Sequence, residues 1–321
     1  MSARRVAVLG AGVWGVSFAW LAGQGGAEVL LWSSEAEKRE RMRSQRNTSS
    51  TESVTLPECV AFPERVEDAL DSDLVVLALQ PSAVRPTLRS LATSFRPDQL
   101  VVHLVKGFEG SGTPISDVVL QETSVLRVGA VAGPIVPAEL WRGDDAAVIV
   151  GSPFDEVIDA VTTTVTSPSC RVYGSRDLIG VEVSGAMRTP ISVAIGVLRG
   201  QRTGRALAAV LLTRGLAEAA RLTVALGGEP RTPSGLSGIG DWMLAATDSA
   251  EPLLLAGERL AAGGEFGWPE AESRIRTLIA LAARLGVDLP ITCAVGQMLD
   301  GVAVPEVLQD LMSRAPRGEV D

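Results

Sequence analysis

Near the N-terminus, Gly10-Ala11-Gly12-Val13-Trp14-Gly15 forms a G-x-G-x-x-G that follows an apolar run and opens a helix-like segment. Each glycine there has a physical task. Gly10 permits a tight turn, Gly12 lets the backbone approach a pyrophosphate, and Gly15 lets helix and strand pack closely, while the helix N-terminus faces the anion. The chemistry is dinucleotide binding, with Val13 and Trp14 in the first helical turn of the cradle. A merely structural glycine turn is the alternative. The adenosine ribose is read at the end of the second strand, here Leu31-Trp32-Ser33-Ser34, with Glu35 the first acid and Lys38 and Arg39 following. Small hydroxyls near cations tolerate a 2′-phosphate, so Ser33 and Ser34 lean towards NADP over NAD. An ordinary capping serine before a charged helix accounts for the same residues equally well.

Other chemistries find little support. The single histidine, His103, lies in the apolar run 99–105, a setting that suits a structural side chain. Ser–His–Asp catalysis and zinc sites built on several imidazoles are therefore not expected. Cys59, Cys170 and Cys293 include no pair at metal-ligand spacing and read as reduced thiols of a cytoplasmic protein. A net charge of −9 argues against a nucleic-acid partner but leaves room for a local pocket for one small anion. Arg4 and Arg5 precede the uncharged stretch 6–23, which resembles a twin-arginine or secretory signal. Glycines at 10, 12 and 15 would weaken a signal helix and suit a nucleotide-binding turn, so a buried strand turning into a helix is the preferred reading. No other stretch approaches the ~20 apolar residues of a membrane span.

A glycine turn of this kind needs a sheet to hold it. The 321 residues, 46% hydrophobic and 21% charged, suffice for two compact domains of ~100–200 residues each. Short apolar runs at 5–9, 28–32, 73–79, 99–105, 126–131 and 146–150 suit strands buried on both faces of a parallel sheet. With a helix at 13–23 the opening is a βαβ unit. From about Ser175 apolar residues recur at helical spacing through 180–198, 206–226, 253–262, 270–285 and 291–299, punctuated by Gly227-Gly228, Pro230, Pro233, Pro269 and Pro290. The expected architecture is α/β: an N-terminal Rossmann-like dinucleotide-binding domain over 1–174 and an all-α C-terminal domain over 175–321. The tail 314–321 is expected to fray.

Several further blocks, in order across residues 5 to 300, make a specific resemblance. The glycine turn with its Trp14 looks like the opening of bacterial NAD(P)-dependent glycerol-3-phosphate dehydrogenases. Leu56-Pro57, Gln80-Pro81-Ser82, Lys106-Gly107-Phe108-Glu109 and Gly133-Pro134 are similar to that family's blocks. So are Gly180-Val181-Glu182 with Gly185-Ala186, Thr213-Arg214-Gly215-Leu216-Ala217-Glu218, the run from Gly235 to Asp241, and Gly286-Val287-Asp288-Leu289-Pro290-Ile291. The resemblance implies interconversion of dihydroxyacetone phosphate and glycerol 3-phosphate by hydride transfer from or to NAD or NADP, in a homodimer. It places Pro81 and Lys106 at the cofactor, and Lys106, Gly133, Arg188 and Asp241 at the substrate. Ketone reduction develops negative charge on oxygen, so a cation or acid must stand there. Lys106 matches one family lysine and Asp241 the active-site aspartate that balances it.

Departures cluster on substrate and catalysis. Arg188 stands where the family has its catalytic lysine and Thr189 where it has asparagine. Arginine keeps the charge and donates to an oxyanion but hardly gives up a proton. Water or Lys106 would then deliver the proton. The family's phosphate-binding Ser-Arg-Asn falls on Glu251-Pro252-Leu253, where a carboxylate repels phosphate. Ala206, Ala208 and Ala132 replace a family asparagine, arginine and serine. Three readings follow: a dehydrogenase of this type, a reductase of a different small ketone, and a non-catalytic dinucleotide-binding relative in which Lys106, Arg188 and Asp241 form a buried ion network. Arg214 and Glu218, one turn apart, are read as a structural pair.

Overall fold

A computed structural model describes residues 5–48, 51 and 54–313. Arg4 and the tail 314–321 lie outside these residues. By contacts the chain forms two units. One comprises the described residues up to Val105 with Thr113–Val181, and the other comprises Lys106–Gly112 and the described residues from Glu182 onward. Ser175, where the change of pattern is read, ends the strand Cys170–Ser175, and the two units part a few residues later, inside helix Leu178–Gly200, while the short Lys106–Gly112 segment groups with the helical unit.

The first unit is built on eight strands: β1 (Arg5–Leu9), β2 (Glu28–Trp32), β3 (Val60–Ala61), β4 (Leu74–Leu77), β5 (Leu100–His103), β6 (Arg127–Ala132), β7 (Ala146–Gly151) and β8 (Cys170–Ser175). Their order is β3-β2-β1-β4-β5-β6-β7-β8. Alternate residues of β1 feed two cores. Val6 and Val8 pack with Val16 and Ala19 of helix Val13–Gln24 and Val157 of helix Asp155–Val165. Ala7 and Leu9 face Val84 and Leu88 of helix Pro81–Ser90 and Val118 of helix Ile115–Glu122. Burial on both faces is why these strands are nearly continuous in apolar residues. The residues read as an uncharged signal stretch are β1, its turn and this first helix.

The sheet is mixed rather than wholly parallel: β6 and β7 run antiparallel while the other neighbours run parallel. A connection carrying only the helix Pro137–Arg142 joins β6 to β7, and an antiparallel neighbour needs no long crossover. Two strands were not foreseen. β3 is two residues long, and β8 is an edge strand that buries Cys170 but exposes Arg171 and Tyr173. It carries no run of apolar residues.

The helical unit contains the expected helices at Arg205–Ala225, Pro252–Ala261, Pro269–Leu285 and Pro290–Leu299, each entered or followed by the Gly and Pro punctuation. It adds Val304–Ser313 and a short helix, Asp241–Thr247, preceded by a π-helical turn at Leu236–Gly240. Helix Leu178–Gly200 is long and apolar enough to cross a membrane, which the sequence reading did not anticipate, and 83% of its apolar window is buried within the protein.

Candidate functional site

The first constellation is the glycine turn at the end of β1. β1 lies between β2 and β4, so the strand order reverses there, and the crevice at that switch point is where open α/β sheets hold ligands. Gly10 has φ +115°, its N–H donates to the Trp32 carbonyl at 2.8 Å, and a Cβ on it would collide with the Ala78 carbonyl just past β4. A Cβ on Gly15 would strike the Gly10 carbonyl oxygen. These two glycines are demanded by the protein itself. Gly12 is not: its φ of −75° suits any residue, it is exposed, and nothing lies within 4 Å of an added Cβ. No side chain caps the helix Val13–Gln24, whose first turn follows Gly12 directly. A glycine kept where the fold needs none, beside an uncapped helix N-terminus, fits a pyrophosphate. Pro81 opens the helix after β4, three residues beyond Ala78, in the same unit.

At the end of β2, Ser33 is buried and Ser34 exposed. The Ser33 hydroxyl accepts from the Glu35 N–H at 3.2 Å, which closes a turn; it does not cap the helix Ala36–Gln45, whose N-cap is Glu35, so the capping reading is not what the structure shows. Arg39 Nη1 donates to the carbonyls of Ser33 and Ser34 at 2.8 and 3.0 Å, and Lys38 pairs with Glu35 at 2.6 Å. Both cations therefore stand at this strand end.

The second constellation lies in the helical unit. Lys106 Nζ donates to Asp241 Oδ2 at 2.6 Å, Arg188 Nε lies 3.3 Å from the same oxygen, and Arg188 Nη2 donates to Glu251 Oε2 at 2.7 Å. The result is an alternating row: Lys106, Asp241, Arg188, Glu251. Asp241 is 1% exposed, and the side chains of Lys106, Arg188 and Glu251 only 13–16%. Burial pulls the Lys106 ammonium down to about 8; the Asp241 carboxylate opposes that shift and Arg188 adds to it. Such a lysine can both give and take a proton near neutral pH.

Local packing places these groups. Trp242, fully buried, donates from its indole to the Ser184 carbonyl at 3.0 Å and pins the start of the Asp241 helix against helix Leu178–Gly200. The π-turn before it sets the direction of Asp241, and such turns are frequent at functional sites. Glu251 is positioned by a seam of small residues. Cβ atoms on Gly196 or Gly257 would collide with the Leu254 or Val193 carbonyl, and one on Gly200 would come within 2.6 Å of the Ala261 Cβ. That close approach sets the start of helix Pro252–Ala261 beside the turn that carries Arg188. Glu251 caps the helix, accepting from the Leu253 N–H at 3.4 Å.

Of the residues singled out from sequence, Lys106, Arg188 and Asp241 come together in one unit, while Gly10, Gly12, Val13, Trp14, Gly15, Ser33, Ser34 and Pro81 belong to the other. Gly133 also lies in the sheet unit, where φ +135° and the nearby backbone of β7 give it a structural reason to be glycine. His103 is buried at the end of β5. Among the described residues no ion pair joins Arg214 to Glu218. Glu218 instead accepts from the backbone N–H groups of Ile291 and Thr292 at 2.5 and 3.3 Å, capping helix Pro290–Leu299, with burial pushing its carboxyl up to about 7. Glu251 was read only as a repulsive neighbour of phosphate; its pairing with Arg188, across 63 positions of sequence, had no local signal.

Comparison with known proteins covers nearly the whole chain. Residues 5–158 match the NAD-dependent glycerol-3-phosphate dehydrogenase N-terminus and residues 177–309 the C-terminus. The glycerol-3-phosphate dehydrogenase [NAD(P)+] of Parafrankia sp. is 37% identical over 98% of this chain and 99% of its own length. That of Chlorobium luteolum is 33% identical over the same shares. The solved glycerol-3-phosphate dehydrogenase of Coxiella burnetii superposes with a TM-score of 0.90 at 24% identity, covering 97% of this chain and 99% of that one. With both halves matched in order and relatives aligned end to end, the chain belongs to the NAD-dependent glycerol-3-phosphate dehydrogenase family.

Proposed function

We propose that the protein is an NAD(P)-dependent oxidoreductase of the glycerol-3-phosphate dehydrogenase type, reducing a small ketone, nominally dihydroxyacetone phosphate, to its secondary alcohol. The observation that carries this reading is the convergence of Lys106 and Arg188 on buried Asp241. When bound, the dinucleotide supplies the reducing equivalent at its nicotinamide ring. The chain supplies the rest. Lys106, held near neutrality, gives its proton to the carbonyl oxygen as that atom gains charge. Arg188 donates to the same oxygen and keeps its charge throughout. Asp241 orients both cations. Gly10, Gly12, Val13, Trp14, Gly15 and Pro81 hold the dinucleotide, with Ser33 and Ser34 at its ribose and Gly133 beside the substrate.

The same reading makes the protein a cytoplasmic homodimer, in keeping with the scattered cysteines Cys59, Cys170 and Cys293. The test is oxidation of NADH and NADPH followed optically with dihydroxyacetone phosphate and a panel of uncharged ketones. Turnover of at least one ketone is expected, with loss in Lys106→Met. Cofactor binding without turnover of any ketone would replace the enzyme by a dinucleotide-binding module.

A further inference from the structure

We infer that Glu251 sets the charge preference of the substrate site, favouring an uncharged ketone over its phosphate ester. This rests on the oxidoreductase reading above and replaces its nominal phosphorylated substrate with an uncharged one.

The Glu251 carboxylate occupies the places an incoming anion would seek. One oxygen takes Arg188 Nη2 at 2.7 Å and the other takes the Leu253 N–H at the start of helix Pro252–Ala261. A guanidinium and a helix N-terminal amide are the two protein groups best suited to hold a phosphate, and here an internal carboxylate engages both. The row is also balanced in charge. Lys106 and Arg188 share Asp241, and Arg188 has Glu251 besides. Arg274, on helix Pro269–Leu285, is within electrostatic reach of Arg188, but Glu270 on the same helix offsets it. A phosphate dianion brought to Arg188 would have to displace Glu251 and would still face its carboxylate.

The backbone that carries the carboxylate is fixed in place. The helix that carries it is locked at the seam of Gly196, Gly200 and Gly257, where no room exists for even one added carbon. A hydroxyl meets the opposite situation. An ionised carboxylate is all acceptor, and Glu251 has lone pairs beyond those used by Arg188 and Leu253. An uncharged polyhydroxy ketone can donate to it without displacing any cation. Glu251 thus acts as a specificity-determining group through its charge.

The experiment compares the full-length parent with Glu251→Gln, which keeps shape and removes charge, and with Glu251→Ser, which keeps a helix-capping oxygen. Two readings are taken: the affinity for inorganic phosphate by calorimetry, and kcat/KM for dihydroxyacetone and dihydroxyacetone phosphate with NADPH. Both variants should bind phosphate at least ~10-fold tighter and raise the phosphate-to-neutral ratio of kcat/KM by a similar factor. Unchanged phosphate affinity, or a ratio that does not move, overturns the inference. If no protein turns over either ketone, the oxidoreductase reading falls by itself, and the phosphate titration still decides whether Glu251 excludes anions. Thermal melts of both variants guard against misfolding, since only one of them needs to fold for the comparison to hold.

Discussion

Arg188 Nη2 lies 2.7 Å from Glu251 Oε2, so two residues read in the sequence as departures from the family pattern are in direct contact. Their effects cannot be independent, because removing either partner leaves the other charge partly buried and less compensated. Arg188→Lys alone should therefore recover less activity on dihydroxyacetone phosphate than Arg188→Lys combined with Glu251→Ser. A double-mutant cycle on kcat/KM should show a coupling of about 0.5–3 kcal/mol. Additive effects would mean that the pair is not maintained in the reacting enzyme.

Lys106 offers a pH signature. Burial holds its ammonium down to about 8 from an ordinary 10.5, against the pull of Asp241. Ketone reduction needs the protonated form, so kcat for reduction should be level below pH 8 and fall as pH rises through it. Alcohol oxidation should rise over the same window. Lys106→Met should lower kcat by ~10²–10⁴ and flatten the profile. Stability provides a second check with its own sign. Between pH 8 and 10.5 the unfolded chain holds the proton more firmly than the folded one, so this group makes the fold gain stability as pH rises there. A profile unchanged by Lys106→Met would assign the proton to water.

The three glycines of the nucleotide turn should part company on mutation. Gly12→Val adds carbon where the fold leaves open space, so melting should be unaltered while cofactor affinity falls at least ~10-fold, about 1.4 kcal/mol. Gly10→Ala and Gly15→Ala force a Cβ onto a backbone carbonyl and should instead lower the melting temperature. Equal cofactor affinity in Gly12→Val would move the dinucleotide elsewhere.

Much of this was legible in the sequence for a physical reason. Val6 to Leu9, Leu74 to Leu77 and Val101 to Val102 are buried on both faces of the sheet, so their apolar runs stand out against any background. Tyr173 in β8 is 48% exposed, and an edge strand with solvent on its side chains leaves no such mark. Lys106, Arg188 and Asp241 were found through resemblance, since nothing in their spacing says they meet. The π-helical turn before Asp241 carries no apolar periodicity in Leu236-Ser237-Gly238-Ile239-Gly240, and the Trp242 contact that pins the following helix joins residues 58 positions apart. The Arg188–Glu251 pair depends on a glycine seam between two helices, information that a single sequence does not expose.

Glu218 should prove structural. It is 1% exposed and takes two backbone N–H groups at the head of helix Pro290–Leu299. Glu218→Ala leaves those donors buried without a partner and should cost about 1–3 kcal/mol in denaturant titrations. Arg214→Ala should change stability by less than ~0.5 kcal/mol, because no ion pair with Glu218 exists to be lost. A large effect of Arg214→Ala with a small one of Glu218→Ala would reverse the assignment.

Cofactor choice is best tested at Ser34. Ser33 is 3% exposed and its hydroxyl already serves the turn to Glu35, so a carboxylate there would mix a burial cost with any effect on the ligand. Ser34 is exposed on the same strand end, beside the Arg39 guanidinium that donates to both serine carbonyls. With Ser33 and Ser34 in place of an acid at the strand end, and with the nearby Glu35 and Glu64 already paired with Lys38 and Arg39, NADPH should bind at least as tightly as NADH. Ser34→Asp should then weaken NADPH by ~10-fold or more through repulsion of the 2′-phosphate, while changing NADH by less than about 3-fold. Arg39→Ala should weaken NADPH in the same selective manner, provided melting shows that the turn survives the loss of its two carbonyl contacts. If Ser34→Asp affects the two cofactors equally, this strand end does not read the 2′ position, and the preference must be set by groups elsewhere in the sheet unit.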